Sequence, residues 1–243
     1  CFASLFTDRA IAYRQLNGFD HFAVRGAVVV QQMVRADKGS AGVIFTLDPE
    51  SGFTDVVIIT GAWGLGENVV AGRVDPDEFM VFKPLLDQVP EPILRRRIGG
   101  KQTRVIVGRR EGPTILTVPT SAADQAKPCI SDADVLALAR WAVQIEQHYT
   151  KRHGQPTPMD IEWAKDGETG ELFIVQARPE TVHAREDAQV IDRYVLQGKG
   201  ELIMKGVAIG SSIGSGKVRV IHDLDQLGEF QPGEVLVTEM TDQ

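Results

Sequence analysis

Cysteine is nearly absent from this 243-residue chain, which carries two, Cys1 and Cys129. Two thiols so far apart supply neither a metal-ligand spacing nor a disulfide framework, so a reducing compartment, the cytoplasm, is the expected location. Long apolar runs are missing too. Those present, such as Val56 to Thr60, are strand-sized and far short of a bilayer, so no membrane segment is expected. Positive charge is not in excess either: 26 Lys and Arg against 33 Asp and Glu give a formal charge of -7. A polyanion needs a basic surface from which counterions are released, so neither nucleic acid nor an anionic membrane is expected as a partner. Small phosphate ligands held by local Arg, Lys and magnesium remain compatible with that charge. There is no internal repeat, no low-complexity tract and no signal-peptide pattern. The opening Cys and the closing Thr241-Asp242-Gln243 read as cuts inside a longer gene product, and self-association is left open.

What is present is an ordinary globular composition, 43% hydrophobic and 24% charged, enough for one large domain or a domain and a half. Residues 1–25 read as a helical segment that hands over at Asn17-Gly18 to a second short element. The run AVVVQQMV, Ala27 to Val34, reads as a strand, as do Val43 to Thr46 and Val56 to Thr60, with Gly, Pro and Asp turns between them. After GAWGLGENVVAG, the stretch DPDEFMVFK alternates as a strand, with Phe79, Val81 and the stem of Lys83 on one face. Ser131 can cap a helix, with Asp134 three residues on and Leu138, Trp141, Ala142, Ile145 and Tyr149 at helical spacing to about Thr150. A helical linker is expected from Val182 to Gly198. MKGVAIGSSIGSGKVRVI and EVLVTEM then read as the first strands of a new β-rich domain.

The polar chemistry sits in MDIEWAKDGETGELFIVQARPET, which has the pattern of a hairpin turning at Asp166-Gly167 and Gly170. Alternation places Asp160 and Glu162 on one face of the first strand, and Leu172, Ile174, Gln176 and Arg178 together on the second. A register in which paired residue numbers sum to 338 sets Glu162 against Gln176 and Asp160 against Arg178, around a five-residue loop from Gly167 to Glu171. An odd sum would set the carboxylates against Phe173 and Val175, so the even register is favoured. A carboxylate and an amide oxygen roughly 5 Å apart across strands suit magnesium, which takes hard oxygen ligands. Arg178 adds planar donors for phosphate oxygens, and Asp160 can hold it or bind metal through water. Spacing alone fits an exposed charged face of an ordinary hairpin equally well.

Taken together, VQQMV, AGVIFTLDPESG, GLGENVVAG, DPDEFMVFKPLL and MDIEWA followed by LFIVQARPET resemble the phosphoenolpyruvate synthase family in order and interval, and the likeness runs through nearly all of the chain. Pyruvate phosphate dikinase and rifampin phosphotransferase are less similar, especially at NGFDHF and DPDEFMVFKP. The resemblance implies an α+β fold: an ATP-grasp nucleotide-binding lobe over residues 1–183, incomplete at its start, then a helical linker over 184–200. Residues 201–243 would open a swivelling β/β/α phosphohistidine domain. The implied enzyme converts ATP, pyruvate and water to AMP, phosphoenolpyruvate and phosphate through a phosphohistidine, with Mg2+ as cofactor. By position, Glu162 and Gln176 are the implied magnesium ligands and Asp160 and Arg178 the nucleotide-phosphate contacts. The strand holding Gln32, Met33 and Val34 is the implied wall beside adenine, and Glu67 a polar residue near the terminal phosphates.

The same resemblance places a Lys and an Arg over the triphosphate upstream of Cys1, and the histidine loop and pyruvate barrel downstream of Gln243. None of His21, His148, His153, His183 or His222 has the expected flanks of a phosphohistidine, so no catalytic nucleophile is assigned and the piece alone is expected inactive. Alternative readings are another dikinase or phosphotransferase of this architecture and a non-catalytic nucleotide-binding module. GAWGLGENVVAG lacks Gly-Lys-Ser/Thr, and its glycines fit turns needing positive φ. The basic stretch with Arg95, Arg96, Arg97, Lys101, Arg104, Arg109 and Arg110 reads as a solvated hairpin. Lys205 and Ser211 to Gly216 resemble a phosphate loop only superficially.

Overall fold

The computed structural model is described over residues 1–108, 114–180, 195, 197–198, 200–201, 203, 213–222 and 224–238. The expected linker from Val182 to Gly198 falls largely outside those residues, as do Lys205, His183, Arg109 and Arg110. Two compact units are present, Cys1–Arg35 and Ala36–Gln243.

In the first unit a 3-10 turn, Phe2–Phe6, leads into α1, Asp8–Leu16, whose N-cap Thr7 accepts from the amide of Ala10. Helix α1 stops at Asn17, and Gly18 takes the left-handed φ of 69° that ends the turn, as the sequence implied. Arg14 is buried because its Nε donates to His21 Nδ1 and its Nη2 to the carbonyl of Leu5. The expected strand from Ala27 to Val34 is not formed. Residues 24–35 have no ladder partner among the described residues, and Val29 and Val30 are 81% and 93% exposed. β-branched side chains favour an extended backbone, but without a neighbour to accept its hydrogen bonds an extended segment is not a strand.

The second unit is built on a six-stranded antiparallel sheet in the order β4-β3-β2-β1-β7-β8. Its strands are β1 (Ser40–Phe45), β2 (Val56–Trp63), β3 (Asp77–Phe82), β4 (Ile93–Arg97), β7 (Met159–Lys165) and β8 (Leu172–Pro179). Beside it lie a ribbon of β5 (Thr103–Val107) and β6 (Ile115–Pro119) and the short helices α2 (Glu67–Val70) and α3 (Ala122–Gln125). Further on, β9 (Lys217–Val220) and β10 (Glu234–Val237) form a parallel pair.

The basic stretch is therefore not one solvated hairpin. Its first half, β4, extends the main sheet beside β3, and its second half pairs as β5 with β6. Lys101 between them is fully buried and ion-paired with Asp77. Inward alternation explains this: Asp77, Phe79 and Val81 face the core, so a buried carboxylate at Asp77 needs a cation brought to it.

Helix α4, Asp132–His153, seals one face of the sheet. Ser131 and Asp134 form the capping box read from the sequence. The helix runs past Thr150 to His153, where Gly154 in the left-handed region stops it. Val135, Leu138, Ala139 and Ala142 beneath it meet Ile44, Val57, Ile59, Phe79, Val81, Met159, Ile161 and Trp163. Each large aliphatic side chain buried this way is worth about 1.5–3 kcal/mol of transfer free energy. Trp163 packs over Gly61 because that position has no side chain: a Cβ on Gly61 would sit 2.6 Å from Trp163 Cζ2. Its indole Nε1 donates to the carbonyl of Thr60 at 3.1 Å.

Candidate functional site

The hairpin of β7 and β8 pairs Met159 with Pro179, Asp160 with Arg178, Ile161 with Ala177 and Glu162 with Gln176. This is the favoured even register, but it holds for only half the ladder. A bulge follows, after which Trp163 faces Ile174, Ala164 faces Phe173 and Lys165 faces Leu172. The loop differs accordingly: Asp166 N–H donates to the Glu171 carbonyl, leaving residues 167–170 between them rather than the five expected.

The bulge separates two kinds of side chain that strict alternation would have put on one face. Val175 is the extra residue. Opposite Trp163 and Lys165, Ile174 and Leu172 turn toward α4 and pack with Ala177 against the core. Gln176 and Arg178 remain on the other face with Glu162 and Asp160. An unbroken β8 would have had to expose Leu172 and Ile174 or bury Gln176 and Arg178, and the cost of either favours one irregular residue.

Register across the sheet extends this polar face. Glu78, Thr60, Val43, Glu162 and Gln176 form one row over β3, β2, β1, β7 and β8, and Met80, Ile58, Phe45, Asp160 and Arg178 form the next. The hairpin thus sets its polar groups beside an apolar floor of half-buried Val43 and Phe45 and buried Ile58. Arg178 Nε donates to Asp160 Oδ2 at 2.8 Å, and Nη2 lies 2.7 Å from the same oxygen in an ion pair. The acid side chain is 15% exposed and the guanidinium 67%, so the arginine is anchored at its base while its outer donors face solvent.

Glu67 begins α2. A Cβ on Gly66, just before it, would touch Ala41 Cβ at 3.5 Å, and Ala41 shares a face of β1 with Val43 and Phe45. Helix α2 therefore starts over the same face as Glu162. Glu67 is exposed, 3.8 Å from Arg73. The glycines before it act structurally: Gly64 has a φ of 91°, and a Cβ there would run into the Val105 carbonyl. Gln32, Met33 and Val34 belong to the first unit, in its segment without a ladder partner among the described residues.

Sequence reasoning missed the clamp that positions β7. Lys83 Nζ donates to both carboxylate oxygens of Glu146, at 2.9 and 2.7 Å, and to the carbonyl of Thr46. Thr46 Oγ1 in turn accepts the amide of Met159 at 2.8 Å, directly before Asp160. The signal was available: a lysine in phase with Phe79 and Val81 needs an inward acid.

Among the described residues no group of three or more His, Cys, Asp or Glu could hold a metal ion by itself. The donor set that fits magnesium is the cross-strand pair of Glu162 and Gln176, two hard oxygens that leave the remaining positions to phosphate and water. Of the histidines, His21 accepts from Arg14, His148 and His153 flank Tyr149 edge-on, and His222 is exposed beyond β9.

These features define a mixed α/β domain on an antiparallel sheet, closed by a helix on one face and polar at one edge of the other. Residues 1–197 match the family model of the pyruvate phosphate dikinase, AMP/ATP-binding domain, and the chain belongs to that family. It is 54% identical over 250 residues to a phosphoenolpyruvate synthase of Helicobacter pylori, covering all of the chain and 31% of that protein. A phosphoenolpyruvate synthase of Synechocystis is 52% identical over 242 residues, again over all of the chain and 30% of the relative. The Escherichia coli protein of that name is 50% identical over 243 residues, 99% of the chain and 30% of the relative. The chain thus spans about 30% of the length of these curated relatives.

Proposed function

We propose that this chain is the nucleotide-holding lobe of a phosphoenolpyruvate synthase, an enzyme taking ATP, pyruvate and water to AMP, phosphoenolpyruvate and phosphate by way of a phosphohistidine. The pairing of Asp160 with Arg178 and of Glu162 with Gln176 on one face of the sheet carries the reading. In it Glu162 and Gln176 hold Mg2+, which neutralises charge on the phosphates. Arg178, oriented by Asp160, binds phosphate oxygens, and Glu67 lies near the terminal phosphates. Gln32, Met33 and Val34 contribute backbone groups to the adenine. The β9 and β10 pair opens the swivelling domain, and the whole works in the cytoplasm.

Phosphoryl transfer leaves a protein little covalent work beyond presenting its nucleophile, so positioning and charge neutralisation dominate. In the intact enzyme Glu162→Ala is expected to lower ATP-dependent labelling of the histidine by about 100-fold or more while costing about 1 kcal/mol or less of stability. Labelling from β-labelled ATP is the measurement, with urea unfolding alongside. Labelling near the wild-type level would remove Glu162 from the site.

A further inference from the structure

On the opposite face of the sheet, beside the start of α4, an open cleft of about 490 Å³ lies away from the groups assigned to ATP. Its floor is a cross-strand row: Ser40 of β1 pairs with Trp63 of β2 on one side and with Lys165 of β7 on the other. The side chains of Trp63, Ser40 and Lys165 thus leave the sheet side by side, their Cβ atoms each roughly 5 Å from the next. Lys38 and Lys127 stand at the rim, and Pro128 and Ile130 add apolar wall.

Ser40 is fully buried, yet its Oγ has no hydrogen-bond partner. A buried hydroxyl without a partner costs about 1–3 kcal/mol, a cost that a ligand in the cleft would relieve. Lys165 gives one hydrogen bond to Asp134 Oδ2 at 2.6 Å, and an ammonium has three to give. The rim lysines are in solvent-exposed ion pairs: Lys127 with Asp124 and Lys38 with Glu168, both lysine side chains at least half exposed. Such surface pairs hold their partners weakly and can be exchanged for another anion. Trp63 is oriented by its Nε1, which donates to the carbonyl of Asp124 at 2.8 Å, and Lys127 lies 5.2 Å from its ring centre.

We propose that this cleft is a second binding site, for a small organic carboxylate with a flat apolar body. The carboxylate takes hydrogen bonds from Ser40 Oγ and Lys165 Nζ while the body lies against Trp63, Pro128 and Ile130. A bare phosphate would gain the charge but leave the apolar wall wet. An uncharged aromatic would gain the wall but leave Lys165 without a new partner.

The test is titration of the 243-residue chain with 2-naphthoate, followed by the indole N–H resonances of its three tryptophans. Trp63→Phe assigns the relevant signal. Saturable movement of the Trp63 resonance is expected, with affinity about tenfold weaker for 2-naphthamide, for inorganic phosphate and for Ser40→Ala with 2-naphthoate. Ser40→Ala removes an unpartnered hydroxyl, so it should fold like the parent. Should it not, Lys127→Met at the exposed rim serves, with a smaller loss expected. A Trp63 resonance that does not move at millimolar 2-naphthoate, or equal affinities for acid and amide, would overturn the proposal. So would affinity unchanged in whichever variant is used.

Discussion

Lys101 and Asp77 hold each other out of water, and the carboxylate also accepts the amides of Gly99 at 2.9 Å and Cys129 at 2.7 Å. Three donors on one buried acid tie β3 to the segments before β5 and α4. Lys101→Met leaves that acid with no countercharge and is expected to cost about 3–5 kcal/mol in urea unfolding. A loss under about 1 kcal/mol would mean that the two amides suffice. Close by, burial pushes the Cys129 thiol well above its ordinary pKa, and the Asp77 charge and hydrogen bond add to the effect. That thiol should resist alkylation in the folded chain, as a thiol reagent counting one reactive group, Cys1, would report. Gly61 is the other pressure point. Gly61→Ala drives a methyl into the Trp163 indole and should cost about 1–3 kcal/mol.

Among the elements, the bulged hairpin matters most. Because Val175 is the unpaired residue, deleting it makes β8 regular without changing any partner: Ile174 stays opposite Trp163 and Gln176 opposite Glu162. The deletion is therefore expected to fold, with a loss of about 2 kcal/mol or less, and to keep the Asp160 and Arg178 pairing. Amide exchange across the β7 and β8 ladder checks it, and loss of protection there would show that the bulge itself is required. The polar half of this hairpin was legible in the sequence because four polar residues demanded one face. The bulge was not, since alternation is read on the assumption that every residue is paired, and the mixed face of Leu172, Ile174, Gln176 and Arg178 was its only trace. Helix α4 was legible from its capping box and apolar stripe, β1 and β2 from β-rich runs between turn residues, and β3 from alternation. The segment from Ala27 to Val34 misled because propensity describes a side chain, whereas a strand needs a partner. Arginine clusters misled in the opposite direction, hiding that β4 belongs to the main sheet and that Lys101 is buried.

At the scale of the whole molecule, acid should loosen the fold in steps. Burial pushes the Asp134 carboxyl up, but Lys165 and the Ser131 amide and hydroxyl outweigh it and hold it below the ordinary carboxylate value. Burial acts likewise on Asp75, and Arg97 and the Gly100 amide outweigh it. The hydrogen bond from Arg219, then the Gln231 amide, lowers Glu234 to about 2. A carboxyl whose folded pKa is depressed binds fewer protons than in the unfolded chain, so its contribution is full at neutral pH and is lost as pH falls through the folded value. Melting temperature should therefore decline below about pH 4, and Lys165→Met should flatten part of the decline. Amide protection of the β9 and β10 pair should weaken progressively from about pH 4 downward and be gone as pH approaches 2.

In the proposed function Asp160, Glu162, Gln176 and Arg178 grip a metal-bound triphosphate. Manganese with ATP, added to the isotope-labelled chain, reports this directly through paramagnetic broadening, which registers even millimolar affinity. The Gln176 side-chain amide and the backbone signals of Glu162 should broaden first, with Leu172 and Ile174, turned toward α4, affected less. Broadening centred elsewhere, or none beyond that given by manganese alone, would contradict the account.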